Sequence, residues 1–343
     1  MATSAKPAAT LNEIRALLRE LPGPDLESGT AALLRERTLT KPAGALGRLE
    51  EATQWLATWQ AKHPPVINHP RTAVFAGNHG VAALGVSAYP AAVTAQMVEN
   101  FIAGGAAVNQ LCAEIDGDLR VYEMALDQPT ADFTQGPAMS EEATARAIAY
   151  GMMAVEPGVD LLALGEMGIG NSTVAAALCH GLFGGEAQDW VGPGTGVDGE
   201  GLARKIAVVA DGVARHKAAM TDPFEVLRTV GGNELAAIVG AILAARLARV
   251  PVVLDGFACT AAAAVLFAAD RRALDHCIVG HRSPEPGHGR LLKILGKEPL
   301  LDLGMRLGEG SGATLAIQIL KAAIACHTGM ATFEEAKVSG RSA

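Results

Sequence analysis

DLLALGEMGIGNSTVAAALCHGL, residues 160–182, contains the three parts of one α/β unit in order. The largely apolar run DLLALGEMG (160–168) shows no polar alternation, which predicts a strand buried on both faces. Glycines follow it, and residues 174–182 have the composition of a helix. Strand, glycine turn and helix in this order form the repeating unit of a doubly wound α/β fold.

The same unit is repeated along the chain. Ala-rich segments of helical period separate five further apolar runs, so we predict a doubly wound, mainly parallel sheet. In such folds ligands bind beyond the carboxyl ends of the strands. The further predicted strands are RTAVFAG (71–77), LRVYEMAL (119–126), VPVVLDGF (250–257), HCIVG (276–280) and LLDLGMRLGEG (300–310).

The N-terminal part of the chain has a different pattern. Residues 10–60 carry apolar side chains at helical spacing, interrupted at PGPD (22–25). This predicts a helical region, which ends at HPPVINHP (63–70), where prolines favour extended chain.

Composition excludes several classes of protein. The formal net charge of −8 disfavours a nucleic-acid partner, which would require a basic face. The best apolar run, 256–269, is shorter than a membrane span, and the N-terminus lacks the apolar core of a signal peptide. Five scattered cysteines in mostly apolar contexts predict buried thiols. We therefore expect a cytoplasmic protein without a membrane segment.

The loop GEMGIGNST (165–173) is the first candidate site. Gly168 and Gly170 allow close approach of a ligand, and Asn171, Ser172 and Thr173 can cap the following helix. Amides at that helix start would hold a phosphate. Glu166 would then stand as an acid beside an anion site. The alternatives are an ordinary capped turn and a solvated glutamate.

A second glycine loop is VGPGTGVDGEGLARK (191–205), which includes Gly194 and Thr195. It has no lysine directly after its glycines, so it is not a nucleoside-triphosphate P-loop. Lys205 falls in the following helix and can reach back towards an anion, although lysines on helices are usually solvated. The glycine loops that follow predicted strands, GEMGIGNST and LGEGSGATLA, lack the dinucleotide pattern GxGxxG, and GTGVDG (194–199) follows no predicted strand, which disfavours a dehydrogenase.

The third loop is LGEGSGATLA (307–316), where Glu309 lies among glycines and apolar neighbours such as Leu307. Partial desolvation would raise its pKa towards neutrality, as a general base requires. The alternative is a glutamate that caps the helix amides.

Histidines occur in two further loops. His79 in FAGNHG (75–80) fits either catalysis or a hydrogen-bonded turn. In GHRSPEPGHGRLL (280–292), the prolines and glycines prevent the one-faced helix of a zinc site, so we expect no metal. The expected role of this loop is structural, with Arg282 or Glu285 forming a salt bridge.

Taken in order, nine motifs resemble the nicotinate-nucleotide–dimethylbenzimidazole phosphoribosyltransferase family over roughly residues 41–325. The resemblance implies transfer of the phosphoribosyl group of nicotinate mononucleotide to 5,6-dimethylbenzimidazole, without cofactor or metal. The motifs are KPAGALGRLE, FAGNHGVAALGVSAYP, VTAQMVENFIAGGAAVNQL, GEMGIGNST, VGPGTGVDGEGLARK, VGGNELAAIVGAILAA, VVLDGFACTAAA, HRSPEPGHGRLL and LDLGMRLGEGSGATLA.

The resemblance also implies roles for individual residues. Glu309 matches the general base, and Lys205 matches a phosphate contact. Glu166 and its loop match the donor site, with Gly168, Gly170 and Asn171. The base pocket is expected along the segment that contains Ser87, Tyr89 and Gln96. Glycines 308, 310 and 312 would leave room for a planar heterocycle.

Three positions depart from the family pattern: Asn78 stands where Asp is expected, Pro193 where Arg is frequent, and Gly199 where Asp is frequent. The resemblance further implies a homodimer and a three-layer α/β/α domain over 66–310, completed by a small helical domain from residues 1–65 and 311–343. The rival hypothesis from another class is a non-catalytic nucleotide-binding module that acts as a sensor.

Overall fold

The computed structural model describes residues 10–339 of the chain. Five strands form one sheet: β1 (Pro70–Ala76), β2 (Asp118–Glu123), β3 (Leu161–Met167), β4 (Val252–Leu254) and β5 (Cys277–Val279). Within the same residues the helices are α1 (Leu11–Leu17), α2 (Leu26–Glu36), α3 (Arg48–Gln60), α4 (Val93–Ala103), α5 (Ala107–Glu114), α6 (Glu141–Met152), α7 (Asn171–Phe183), α8 (Gly199–His216), α9 (Pro223–Val230), α10 (Asn233–Leu247), α11 (Phe257–Ala269), α12 (Pro286–Leu295), α13 (Ser311–Gly329) and α14 (Phe333–Ala336).

All strand pairs of the sheet are parallel, in the order β2-β1-β3-β4-β5. This is a doubly wound order, and the chain changes direction across the sheet between β1 and β3. The predicted fold class is therefore confirmed. A crevice at this switch point is the expected ligand site, and the first glycine loop, 165–170, lies there.

Alternate strand residues face two helical layers. Phe75, Leu164 and Leu254 belong to a cluster with α7, α10 and α11. Ala163 and Val253 face the opposite way, into a cluster with α3 and α13. Both faces of the sheet are thus covered, which explains why the strand sequences show no polar alternation.

The sixth predicted strand, 300–310, is wrong. Only Leu301 makes an isolated bridge, to His281, and the rest of the segment is irregular. Gly304 and Gly308 have φ values of 67° and 83°, which lie outside the extended region and end any strand. The segment instead returns along the carboxyl edge of the sheet and carries Glu309 to β3.

Two predictions on composition can be compared with the structure. Four of the five cysteines are buried, and Cys326 is half-buried. No helix within residues 10–339 is both long and apolar enough to cross a membrane.

Candidate active site

A cleft at the carboxyl end of β3 brings together most of the predicted site residues. It lies between the first glycine loop, the second glycine loop and the 306–308 segment. Its lining residues are Glu166, Met167, Gly168, Ile169, Asn171, Ser172, Gly194, Thr195, Gly256, Phe257, Ala258, His281, Ser283, Glu285, Arg306, Leu307 and Gly308.

Glu309 is held against the end of β3 by backbone contact. Its N–H donates to the carbonyl oxygen of Glu166 at 3.1 Å. A Cβ on Gly165 would lie 2.4 Å from the backbone nitrogen of Gly310, so only glycine allows the two segments to approach this closely. The sequence of both loops therefore places the two glutamates side by side.

The backbone of Glu309 is in the left-handed region, with φ of 64°. For a residue with a side chain this conformation costs roughly 1–2 kcal/mol. Gly308 and Gly310 on either side also have positive φ values, 83° and 77°. The surrounding structure therefore holds Glu309 in an unfavourable conformation, a feature that is typical of functional positions.

The carboxyl group of Glu309 lies in an unusual environment. The residue is 6% exposed, and its carboxylate receives no hydrogen bond from residues 10–339. Burial, and then the nearby charge of Asp255, raise its pKa to about 7. The pKa predicted from the sequence agrees with this, since a base that works near neutral pH needs such a value.

Neither the suggested capping of α7 by Asn171 nor the alternative of a capping Glu309 is observed. Neither Glu309 nor Asn171 caps its helix, because Gly310 and Gly170 occupy the N-cap positions of α13 and α7 without a side-chain bond. Asp255 takes the place of a cap at α13, where its oxygens accept from Gly310 N at 3.2 Å and Ala313 N at 2.8 Å.

Glu166 is 8% exposed and is held by Asn171, whose side-chain amide donates to its carboxylate. Burial, followed by the charges of Asp255, Glu234 and Glu309, raises its pKa well above the usual range. The raised pKa favours the protonated form of Glu166, which can donate a hydrogen bond.

Lys205 lies 1% exposed on α8 and points back to the first loop, as predicted. Its ammonium donates to Ser172 Oγ and to the carbonyl oxygen of Gly192, both at 2.9 Å. Burial lowers its pKa to about 8, against an opposing effect of Glu285. Two of the three ammonium donors are used, so one remains for an anion.

The second loop is fixed by a residue that the sequence analysis assigned differently. Glu285 forms no ion pair within residues 10–339 but accepts from Gly194 N at 2.9 Å. Arg282 does approach Asp302, at 3.9 Å and in an exposed position. No group of three metal-binding side chains that could hold an ion occurs among the residues that the structure describes.

Two of the three glycines expected to leave room for a heterocycle have another role. A Cβ on Gly312 would lie 2.0 Å from the His281 ring, and one on Gly310 would lie 3.1 Å from Thr72. These glycines permit packing inside the protein. Only Gly308 lines the cleft, where its Cβ would lie 2.9 Å from Glu166 Oε1.

The predicted base-pocket residues lie outside the lining of this cleft. Tyr89 is 52% exposed, Gln96 is exposed on α4, and Ser87 is half-buried. Their segment nevertheless contacts the first loop, because Thr94 Oγ1 accepts from Ile169 N at 3.1 Å. Their role in binding an acceptor stays a prediction.

His79 and Asn78 follow β1. His79 lies 3.0 Å from Glu234, and both side chains are fully buried. Neither ring nitrogen of His79 has a hydrogen-bond partner among residues 10–339, so neither the hydrogen-bonded turn nor catalysis is shown. Asn78 donates its side-chain amide to the carbonyl oxygen of Leu126 at 2.9 Å. An ionised Asp at this position has no proton to donate, which gives a physical reason for this departure.

Sequence reasoning missed Asp255 and the cleft residues contributed by the 256–258 and 281–285 segments. Asp255 follows β4 directly at the carboxyl edge of the sheet, in the same position relative to its strand as the acids that were found. The signal was therefore present in VVLDGF. Arg306 is exposed and contributes the one arginine among the cleft-lining residues of the described chain.

Comparisons with known proteins found similar sequences and similar structures. A family model described as "Phosphoribosyltransferase" matches residues 21–338. A protein of Brucella anthropi named nicotinate-nucleotide–dimethylbenzimidazole phosphoribosyltransferase is 58% identical over 329 residues, covering 96% of this chain and 97% of the relative. A Brucella canis protein of the same name is 59% identical over 328 residues, with the same coverage.

A crystal structure of CobT from Thermus thermophilus has a TM-score of 0.86 and 44% identity, covering 92% of this chain and 100% of the other. A second structure from that organism, described as the same phosphoribosyltransferase, has a TM-score of 0.84 and 42% identity, covering 92% of this chain and 99% of the other.

Proposed function

Because this chain belongs to the nicotinate-nucleotide–dimethylbenzimidazole phosphoribosyltransferase family, we propose that Glu309 is the general base of its reaction. The enzyme transfers the phosphoribosyl group of nicotinate mononucleotide to 5,6-dimethylbenzimidazole and gives α-ribazole 5′-phosphate and nicotinate. The observation that carries the proposal is the position of Glu309 beside Glu166, with a pKa of about 7 and no hydrogen bond to its carboxylate within residues 10–339.

The chemistry is one displacement at the anomeric carbon. The lone pair of one benzimidazole nitrogen forms the new bond to that carbon. The bond to nicotinate breaks, and its electron pair neutralises the pyridinium nitrogen. Glu309 removes the proton from the second ring nitrogen, which becomes more acidic as the first nitrogen gains positive charge. The leaving group therefore needs no acid, and catalysis rests on positioning and proton removal.

The phosphate of the donor is proposed to bind between Lys205 and the start of α7. The uncapped N-terminus of this helix and the remaining ammonium donor favour an anion at the same place. Gly194 supports this, since a Cβ there would lie 2.8 Å from Ser172 Oγ and 3.1 Å from Lys205 Nζ. Only glycine leaves that position open.

Glu166 is proposed to hold the ribose hydroxyls and not to attack the sugar. A protonated, buried carboxyl group is a poor nucleophile but a good hydrogen-bond donor. An α-linked product from a β-linked donor also requires one inversion, whereas a covalent intermediate on Glu166 would require two.

The test measures nicotinate release with and without 5,6-dimethylbenzimidazole. The proposed enzyme releases nicotinate only when the acceptor is present, and Glu309→Gln should lower kcat by roughly 10²–10⁴-fold while donor binding remains. A sensor module would bind the mononucleotide but release nothing. Near-normal turnover by the Gln variant would remove Glu309 from the mechanism without affecting the assignment of the reaction.

We also propose a homodimer in the cytoplasm and a small domain built from both chain ends. Arg35 supports the small domain, because its guanidinium donates to the carbonyl oxygens of His327 and Met330. Light scattering coupled to size exclusion gives the mass that tests the dimer.

A further inference from the structure

A cavity at the opposite edge of the sheet carries an unusual number of arginines. It has a volume of about 710 Å³ and lies where α10 leads into β4 and α11 leads towards β5. It shares none of its lining residues with the catalytic cleft. We call it the arginine cavity, and its lining residues are Arg15, Leu18, Arg19, Leu21, Gly23, Pro24, Arg246, Ala269, Asp270, Arg272 and Asp275.

The central observation is the buried, unpaired charge of Arg246. The residue is only 4% exposed, yet it forms no ion pair within residues 10–339. Burial lowers its pKa, although the charge of Asp275 opposes this effect. A buried charge without a paired counter-ion is costly, so proteins rarely keep one without a partner.

The guanidinium of Arg246 is fixed in place but not saturated. It stacks on Trp59, with Cζ 3.9 Å from the ring centroid, and Nε donates to the carbonyl oxygen of Pro22 at 2.8 Å. Nη1 lies 3.5 Å from His276 Nδ1. A guanidinium has five N–H donors, so most of this fork has no acceptor among the described residues.

The contacts of Arg246 do not supply a negative charge. Burial and the charge of Arg246 lower the pKa of His276 to about 3, so this imidazole is neutral at physiological pH. The Trp59 ring stabilises a cation through its face but accepts no in-plane N–H bond. An oxyanion in the cavity would complete both the charge and the hydrogen bonding.

The other arginines differ in how far they are already paired. Arg15 lies 2.9 Å from Asp222, and Arg272 lies 3.6 Å from Asp270. Arg19 is exposed and has no ion pair within the described chain. Arg19 and Arg246 are therefore the two cationic cavity residues without an ion pair among residues 10–339, and the unpaired carboxylate of Asp275 lines the same cavity.

We propose that the arginine cavity binds a small metabolite through a phosphate or carboxylate group held by Arg246 and Arg19. The forked geometry of arginine matches both oxyanions. Leu18, Leu21 and Pro24 offer apolar surface to the remainder of the molecule. The site is independent of the proposed reaction, because it lies at the amino ends of the strands.

The experiment titrates inorganic phosphate, and separately malonate, into the protein by calorimetry at constant ionic strength. The Lys205→Ala variant is used throughout, so that the phosphate site of the catalytic cleft is removed. We expect one site that remains in this variant and raises its unfolding temperature more than chloride does. Arg19→Gln in the same background should weaken binding about tenfold.

Arg37→Gln is the matched control, because Arg37 is also an exposed arginine but lies outside the cavity. Arg246→Lys keeps the positive charge but loses the forked donors of the guanidinium, so it should also weaken anion binding. If Arg246→Lys does not fold, the comparison of Arg19→Gln with Arg37→Gln tests the proposal. A preference for phosphate or malonate identifies the oxyanion. Absence of binding for both anions, or equal affinity in the Arg19 and Arg37 variants, would overturn the proposal.

Discussion

Lowering the pH should switch off Glu309 well above the range in which an ordinary glutamate is protonated. With a pKa of about 7, its ionised fraction falls from about nine tenths at pH 8 to about one tenth at pH 6 and about one hundredth at pH 5. The active form is the carboxylate, so the rate is lost as pH falls. We expect kcat to drop about tenfold for each unit below 7.

The assay follows nicotinate release between pH 5 and 8 with both substrates saturating. The donor phosphate and the acceptor also titrate, and Glu309→Gln measures their contribution because it lacks only the carboxylate. The ratio of wild-type to variant rates isolates Glu309. Asp255→Asn should move the acid limb to lower pH, since the charge of Asp255 contributes to the raised pKa. Burial contributes more, so part of the shift should remain.

Two results would refute this reasoning. A wild-type kcat that stays constant from pH 8 to 5.5 would mean that no group with a pKa near 7 limits the reaction. The same acid limb in Glu309→Gln would mean that the limb belongs to the substrates. In either case the buried glutamate would not be the titrating base.

The remaining predictions concern Lys205, Glu309 and Glu166. Lys205→Ala should raise KM for the mononucleotide about 10- to 150-fold with a smaller change in kcat, as expected for a lost charge-assisted bond; equal use of the dephosphorylated nucleoside by the wild type would contradict a phosphate site. Glu309→Gln should unfold at a higher temperature than wild type at pH 8 but at the same temperature near pH 4. The reason is that the raised pKa of Glu309 makes its ionised form unfavourable in the folded state, and stability is lost as pH rises from 4.5 through 7. Concentrated enzyme with donor alone should give no burst of nicotinate; a stoichiometric burst and a ribosyl phosphate adduct on Glu166 by mass spectrometry would establish the covalent route.

Most of the fold could be predicted from the sequence, because the buried parallel strands are continuous apolar runs. The strand at 161–167 was predicted in this way, and its glycine turn and helix follow directly. The 300–310 segment has a similar composition but contains residues with positive φ. Its path depends on contact with Gly165, which is far away in sequence, so local pattern could not distinguish it from a strand.

The sequence indicated which residues lie near the cleft but not the contacts between them. Glu166 and Glu309 were selected because each is an acid in a glycine loop. The partners of Asn171 and Gly312 depend on how β3, α13 and the His281 loop pack together, and no local pattern contains that information. Asp255 was missed because its loop contains a single glycine, whereas the three candidate loops contain several.

The readiness of Glu309 to accept a proton follows from competition for the amides at the start of α13. A carboxylate that takes helix N-terminal N–H groups is stabilised in its charged form and is a weak base. Asp255 occupies those amides from β4, with bonds to Gly310 N and Ala313 N. The left-handed backbone at Glu309 keeps its carboxylate without such donors. The charge of Asp255 then raises the proton affinity of Glu309 further. Asp255 therefore secures the helix, and by doing so it raises the pKa of Glu309, as the proposed mechanism requires.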